Sequence, residues 1–598
     1  MSYLPAQTLP EVTVSAGPPT GHLLWKPDTI PTDAPVTLAD RLLWEHPLAI
    51  RANAPGTLST VSARGAGPGR TAVIWHGLNL QSPQNGVVDV SLIPLWPGDR
   101  LLMVPGGQSS ALGNGAMGGV LTLVSQDRYP QGLSGDFGFS AGSFGFWQAQ
   151  ARATWSDAHG SNTLKGLVQT AENNFPFVNT AQIGQPEQKQ TNNNVRRIDL
   201  QQHNTWQFNA HHSLETALWW QEARREIPPS MTASAEDTWQ KDRNFRAAVA
   251  WKPTENQQHR LAWSDENIHF FLNGDTDSSR ARTAQWQTRL HSPEGRPWRF
   301  VLEVQLTPQW GMADGYADSS RWYAQWRGAL APAGSFRWKS GKVSLSFRQE
   351  WADFAEVPLL WAVAAEQALG NRWRAHLHLS RNFNLPTLND RFWLNLGNPD
   401  LAPEQGYSAE AGIRWAKKEL LVESTVFHLL LDDWILWQPG SDGAFRPGNL
   451  RQVWSRGVEM TASWEKRAGA WRLSVQAHAQ FSATTNTKVY GGTDVVLDKQ
   501  LIYTPAQLAG GSFTAHRGPF SVAYLHQYSG ARYTRSDESG QLPAYQTGTA
   551  MVRFQLPLGG WSASVEVRLE NCWNAPYQII EYRPMPGRSG RIGLLAAF

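Results

Sequence analysis

From about Tyr129 to the C-terminus the chain alternates, and no other feature limits its fold so strongly. In Phe146–Ser156, Trp147, Ala149, Ala151, Ala153 and Trp155 fall on one face, and Gln148, Gln150, Arg152 and Thr154 on the other. A period of two with one apolar and one polar face is the pattern of a strand. Trp147 and Trp155 bound the apolar face, which spans roughly 27 Å at about 3.3 Å per residue. That is close to the apolar band of a barrel strand crossing a membrane at a tilt. Arg282–Leu290, Trp298–Leu306 and Trp471–Phe481 repeat the pattern. A soluble sandwich alternates too, but it seldom carries a polar face on so many strands over residues 129–598.

Composition narrows the class further. The 30 tryptophans far exceed an average share, and Trp concentrates where a protein meets the membrane interface. No run of about 18 apolar residues exists, so no helix is long enough to cross a bilayer. The mean hydropathy of −0.42 fits a barrel equally well, because only alternate residues face lipid. A net charge of +3 without a basic cluster gives no reason to invoke nucleic acid. A single cysteine, Cys572, excludes an internal disulfide and any multi-cysteine metal site; it reads as a small barrel-wall residue. His211-His212 is the one histidine pair and reads as solvated loop. The carboxylates of Asp275–Asp277 and Asp432-Asp433 read as solvated loops or turns. No nucleophile elbow, zinc spacing or calcium loop is present, so no enzyme, cofactor or metal site is expected.

Ahead of the alternating region lies a different texture, Leu58–Leu123. It contains LSTVSARG (58–65), RTAVIWHGLNL (70–80), DVSLIP (89–94) and LLMVPGGQSSALGNGAMGGVLTL (101–123). Gly113, Gly115 and Gly118 satisfy G-x-G-x-x-G, but that fingerprint needs a helix after the glycines. The β-branched VLTLV follows instead, which excludes a dinucleotide site. GAGPGRT (65–71) lacks the lysine of a phosphate loop. Thr37–His46 reads as a short helix, with Thr37 as N-cap, Asp40 in the capping-box position and Leu42 and Leu43 as its apolar face.

The order Arg64-Gly65, Gly77, Ile93-Pro94, Ser109-Ser110, Gly113, Ala116 and Gly118-Gly119 resembles the plug of TonB-dependent outer-membrane receptors, vitamin B12 and siderophore receptors among them. Further landmarks agree: RNFNLPTLNDRFW (381–393), GNPDLAPEQGYSAEAG (397–412), LIYTPAQ (501–507) and LENCWNAPYQIIEYRPMPGR (569–588). WILWQP (434–439) and GNLRQVWSRGVE (448–459) are similar to Bacteroidetes members. The resemblance implies an all-β transmembrane fold: a 22-stranded antiparallel barrel occluded by a small N-terminal α+β plug. Residues 1–20 would be a flexible tail, 21–128 the plug and 129–598 the barrel, with strands of about ten residues. His76, Leu102 and Pro105 depart from the family pattern, so a plug lock with fewer charge pairs is expected.

The resemblance also implies function. Leu9–Ala16 resembles a TonB box, with Glu11, Val12, Thr13, Val14 and Ser15 offered as an added strand to the TonB–ExbB–ExbD complex of the inner membrane. The loops Arg51–Thr60 and Leu80–Val87 would top the plug, and Arg51, Asn53, Asn79, Gln81, Ser82, Gln84 and Asn85 are the candidate ligand residues. Phe598 would be the signal read by the barrel-assembly machinery. The expected activity is import of a scarce large solute across the bacterial outer membrane by a monomeric barrel set in outer-membrane lipids. Cobalamin is favoured, with an iron–siderophore or haem next; a surface lipoprotein is a possible cap. The other reading is a surface receptor or adhesin without energised transport. The N-terminus lacks a charged region followed by an apolar core, so a secretory signal is expected to have been removed.

Overall fold

The computed structural model describes residues 34–125, 131–233, 237–293, 295–440, 442–492 and 496–598. Twenty-two antiparallel strands close into one barrel, the count that the resemblance implied. The first strand, Gly132–Gly142, pairs with the last, Ser589–Ala597. The seam continues to the final residue: the Gly135 amide donates to the Phe598 carbonyl at 3.0 Å, and the Phe598 amide donates back at 2.9 Å. Closure removes the sheet edges that would otherwise present unpaired backbone groups.

The alternation read from the sequence is inside out relative to a soluble protein. In Trp147–Ser156 both tryptophans are exposed, while Gln148, Gln150 and Thr154 are buried inward. One end of the barrel has tight connections, of two residues at 255–256, 339–340, 418–419, 469–470, 518–519 and 559–560. The other end carries longer segments, including 172–194, 385–403, 490–506 and 571–588. Outer-membrane barrels have this asymmetry, with long loops on the outer side and short turns on the periplasmic side. One connection at the long-loop end is short. Asn273 and Gly274, at φ 49° and 107°, form a two-residue hairpin turn of the kind that needs positive φ at both positions.

Three expectations about the wall need correction. Most wall strands are longer than about ten residues and one, Phe445–Ala468, reaches 24, because ten residues cross the bilayer and the pairing continues beyond it. For the same reason Asp275, Asp277, Asp432 and Asp433 lie within strands, the last two at a bulge in Leu420–Pro439. Cys572 lies just past the strand Trp561–Glu570, in the closing loop rather than the wall.

The plug fills the lumen. Its sheet has the strands β1 (Thr71–Trp75), β2 (Leu78–Asn79), β3 (Arg100–Pro105) and β4 (Gly119–Val124), in the order β2-β1-β4-β3. β1 and β4 run parallel, and β1 is buried along its whole length, as its unbroken TAVIW run requires. The glycine-rich segment contains the short helix α2 (Ser109–Leu112) before it enters β4, so a strand follows the glycines. Helix α1 (Leu38–Glu45) has Thr37 as its N-cap, accepting from the Asp40 amide at 3.1 Å. Leu42 is fully buried and joins a core shared with Trp219 of the barrel wall. Arg51–Thr60, expected as a loop, is largely a hairpin: Ala49–Ala52 pairs with Ser59–Ser62, and the Thr57 hydroxyl bridges both backbone groups of Ala54 across the bend. Among the described residues no helix is long and apolar enough to cross a membrane.

Candidate functional site

After β2 the chain rises to an apex at the long-loop end. The Ser82 amide donates to Val87 at 3.1 Å and the Gly86 amide to Ser82 at 2.8 Å, which closes a compact turn. Helix α3 (Leu388–Phe392), capped reciprocally by Thr387 and Asp390, rests on that turn. Its Leu388 and Asn389 amides donate to the Pro83 and Gln84 carbonyls. The loop signature at 381–393 therefore places a helix directly over the plug apex.

Beside the apex is a cavity of about 370 Å³, open toward the long-loop end. Plug residues Leu80, Ser82, Asn85 and Val87–Asp89 form one side. The wall contributes Gln240, Asp242, Asn244, Arg246 and Glu266, with Phe270 and Trp393 as apolar members. Arg246 is 7% exposed and lies over the Trp219 ring at 4.3 Å. Its Nε and Nη1 donate to no acceptor among the described residues, an uncommon condition for a buried guanidinium. Asp242 is occupied: Arg225 bridges it at 2.7 Å to Asp89 of the plug. This arrangement can hold hydrogen-bonding groups of a solute against one wall and apolar surface against the other.

Of the candidate ligand residues, Ser82 and Asn85 line this cavity. Gln84 is turned to the wall, where its amide donates to the Met312 carbonyl at 3.1 Å. Asn79 and Gln81 bond to each other at 2.8 Å and reach the Asn114 and Gly69 carbonyls, beside a smaller cavity of about 40 Å³. Arg51 stacks over Tyr503 at 4.8 Å, and Asn53 sits in the neighbouring hairpin bend; neither lines the two cavities. The TonB-box candidates Glu11, Val12, Thr13, Val14 and Ser15 lie outside the described residues. Sequence reasoning missed Asp242, Arg246 and Glu266. The available signal was parity, since Asp242, Asn244 and Arg246 alternate with Arg243, Phe245 and Ala247.

Buried charge pairs tie the plug to the wall. Arg64 holds Glu459 through Nε and Nη2 at 2.9 and 2.7 Å and Glu410 through Nη1 at 2.9 Å, all buried. Burial alone would lower the Arg64 pKa, but the two carboxylates outweigh it and hold the guanidinium above its ordinary value. Arg70 pairs with Glu404 and stacks on Trp434 at 3.6 Å, and Lys165 reaches Asp99 at 2.9 Å. Gly106 (φ 76°) adjoins this lock, and a Cβ there would run into the Glu410 carboxylate.

His76, at φ 46°, and Gly77, at φ 88°, form the turn between β1 and β2. His76 packs edge-on to Trp75 and 5.1 Å from His203. Its pKa lies well below the ordinary imidazole value, from burial first and then the nearby His203, Arg260 and Lys165.

Comparison with known proteins agrees with this architecture. Residues 108–571 match the family described as TonB dependent receptor-like, beta-barrel, and residues 30–120 match the TonB-dependent Receptor Plug Domain. The vitamin B12 transporter BtuB of Photobacterium profundum is 22% identical over 507 residues, covering 82% of this chain and 78% of its own. That of Vibrio vulnificus is 34% identical over 95 residues, 16% of each chain. Among solved structures, the siderophore receptor PirA from Acinetobacter baumannii superposes with a TM-score of 0.76 at 14% identity, covering 95% of this chain and 96% of its own. The FrpB iron transporter from Neisseria meningitidis gives 0.77 at 11% identity, covering 95% and 97%. With a plug closing a barrel of this strand number, and with matches to both parts, the chain belongs to the TonB-dependent receptor family.

Proposed function

We propose that this protein imports a scarce large solute across the outer membrane, that TonB supplies the energy, and that cobalamin is the favoured solute. The observation that carries the reading is the pairing of an open cavity beside the apex, with both polar and apolar lining, with a lumen whose plug is held by ion pairs. Releasing the plug would take Arg64 and Arg70 from Glu410, Glu459 and Glu404. Both curated relatives are named vitamin B12 transporters, whereas similar folds are named for siderophore, iron and copper uptake. The sequence similarity favours cobalamin; an iron–siderophore or haem is the next class. Glu11–Ser15 would receive the pull as a strand added to TonB.

The test is paired binding and uptake of labelled cobalamin in cells carrying wild type or Val12→Pro. Proline removes a backbone donor and fixes φ, which disrupts an added strand. Surface binding should stay near wild type while uptake falls to background. Uptake that survives Val12→Pro would favour passive binding, and binding of a ferric siderophore without cobalamin would change the solute but not the mechanism.

A further inference from the structure

The outward face of the wall has a charged region that solute import does not use. Five adjacent strands carry it: Val195–Gln207, Ser213–Glu226, Thr238–Thr254, Gln257–Leu272 and Asp275–His291. On Thr238–Thr254 and Asp275–His291 the outward positions are mainly apolar from the short-turn end and then turn charged. Trp251, Val249 and Phe245 are followed by Arg243 and Lys241; Leu290 and Trp286 are followed by Arg282 and Arg280. From Trp251 to Arg243 the rise is roughly 20–27 Å, depending on tilt. The charges therefore begin where the apolar band ends, at the outer boundary of the bilayer.

Strand register places them side by side. Arg196 opposes Arg224, Arg224 opposes Lys241, and Asp265 opposes Arg282. Six cations (Arg196, Arg224, Lys241, Arg243, Arg280 and Arg282) surround only two carboxylates. Glu222 sits between Lys241 and Arg243 at 3.1 and 2.8 Å, and Asp265 between Arg280 and Arg282 at 2.6 and 3.0 Å. Glu226, farther out, is held by Asn194. Arg224 and Arg282 are stacked on Trp239 and Trp322 at 4.6 and 4.4 Å, which fixes their planes. Arg243 stays 56% exposed and Arg280 38%. The turn at Asn273-Gly274 is too short to fold over them. Elsewhere on the wall, outward cations at this level stand singly among the described residues, as Arg381 and Arg456 do.

We propose that this face binds the phosphate groups of an anionic outer-leaflet lipid, whose chains lie along the apolar band below. Oriented guanidinium groups donate in pairs to phosphate oxygens, and the excess of positive charge at a headgroup plane favours such lipids. This site is independent of the imported solute.

The experiment is native mass spectrometry of the detergent-purified full chain with three probes: bisphosphorylated lipid A, dephosphorylated lipid A and inorganic phosphate. Wild type should retain the phosphorylated lipid several-fold more than the dephosphorylated one. The triple variant Arg243→Gln, Arg280→Gln, Arg282→Gln should lose that preference, whereas Lys466→Gln, Arg467→Gln at the short-turn end should keep it. Heat-modifiable mobility on gels checks that each barrel is folded. Should the triple variant not fold, Arg243→Gln alone, which leaves Glu222 paired with Lys241, should show a smaller loss. Equal retention of both lipids by wild type, or an undiminished preference in the folded variants, overturns the proposal. Retention of inorganic phosphate without a lipid preference would mean an adventitious ion only, and overturns it too.

Discussion

Arg64 shows why a single plug residue can matter to the whole seal. Its backbone is left-handed, at φ 51°, and its carbonyl accepts from the Ser455 hydroxyl, so the side chain is aimed at Glu410 and Glu459. Replacing Arg64 with Met leaves two buried carboxylates without their cation, and breaking a buried pair from one side costs about 3–5 kcal/mol. Hydrogen exchange should show plug amides opening more readily while the barrel strands keep their protection. Replacing all three residues with apolar ones of similar volume should cost far less. His76 makes a separate prediction. It is neutral in the seated plug, with its pKa well below the ordinary 6.5, so a released plug takes up a proton that the seated plug refuses. Seating stability is therefore full above about pH 6.5 and declines as pH falls below it. His46, pushed down to about 3 by burial, then by His478 and Arg41, acts in the same direction. Exchange rates of the Trp75–Leu78 amides, corrected for intrinsic rate, should rise between pH 7.5 and 5.5, and less so in His76→Asn.

At the scale of elements, legibility followed periodicity. The wall strands were readable because one face meets lipid and the other meets the plug, so Trp147 and Gln148 are sorted by different solvents. Helix α1 was readable from Thr37 and Leu42. The hairpin at Ala49–Ala52 was not, because its four-residue strands are too short to show a period in IRANAPGTLST. Nor was the role of Gln84 or Arg246, since a polar residue on an inward face looks the same whether it bonds the wall or lines a cavity. The last strand gives an element-scale prediction. Deleting Phe598 removes two seam hydrogen bonds, each worth about 0.5–1.5 kcal/mol, and a ring contact with Trp561 at 4.7 Å. Less heat-modifiable barrel should accumulate in the membrane fraction on gels; an unchanged amount would show that the seam does not need its final residue.

For the whole molecule, the ion pairs and the cavity belong to two bodies that the sequence separates widely: Arg64 and Glu459 are 395 residues apart. Motif order located the plug, but only the closed ring decides which wall carboxylates it meets. The seam between Gly135 and Phe598 also sets an order in time. Until the strand Ser589–Ala597 meets Gly132–Gly142, the growing sheet has two raw edges able to pair with any neighbouring strand. Long-range closure of this kind is intrinsically slow. The sheet is thus most exposed to misassembly just before this closing strand pairs, and its safety in that interval has to come from whatever holds the edges apart.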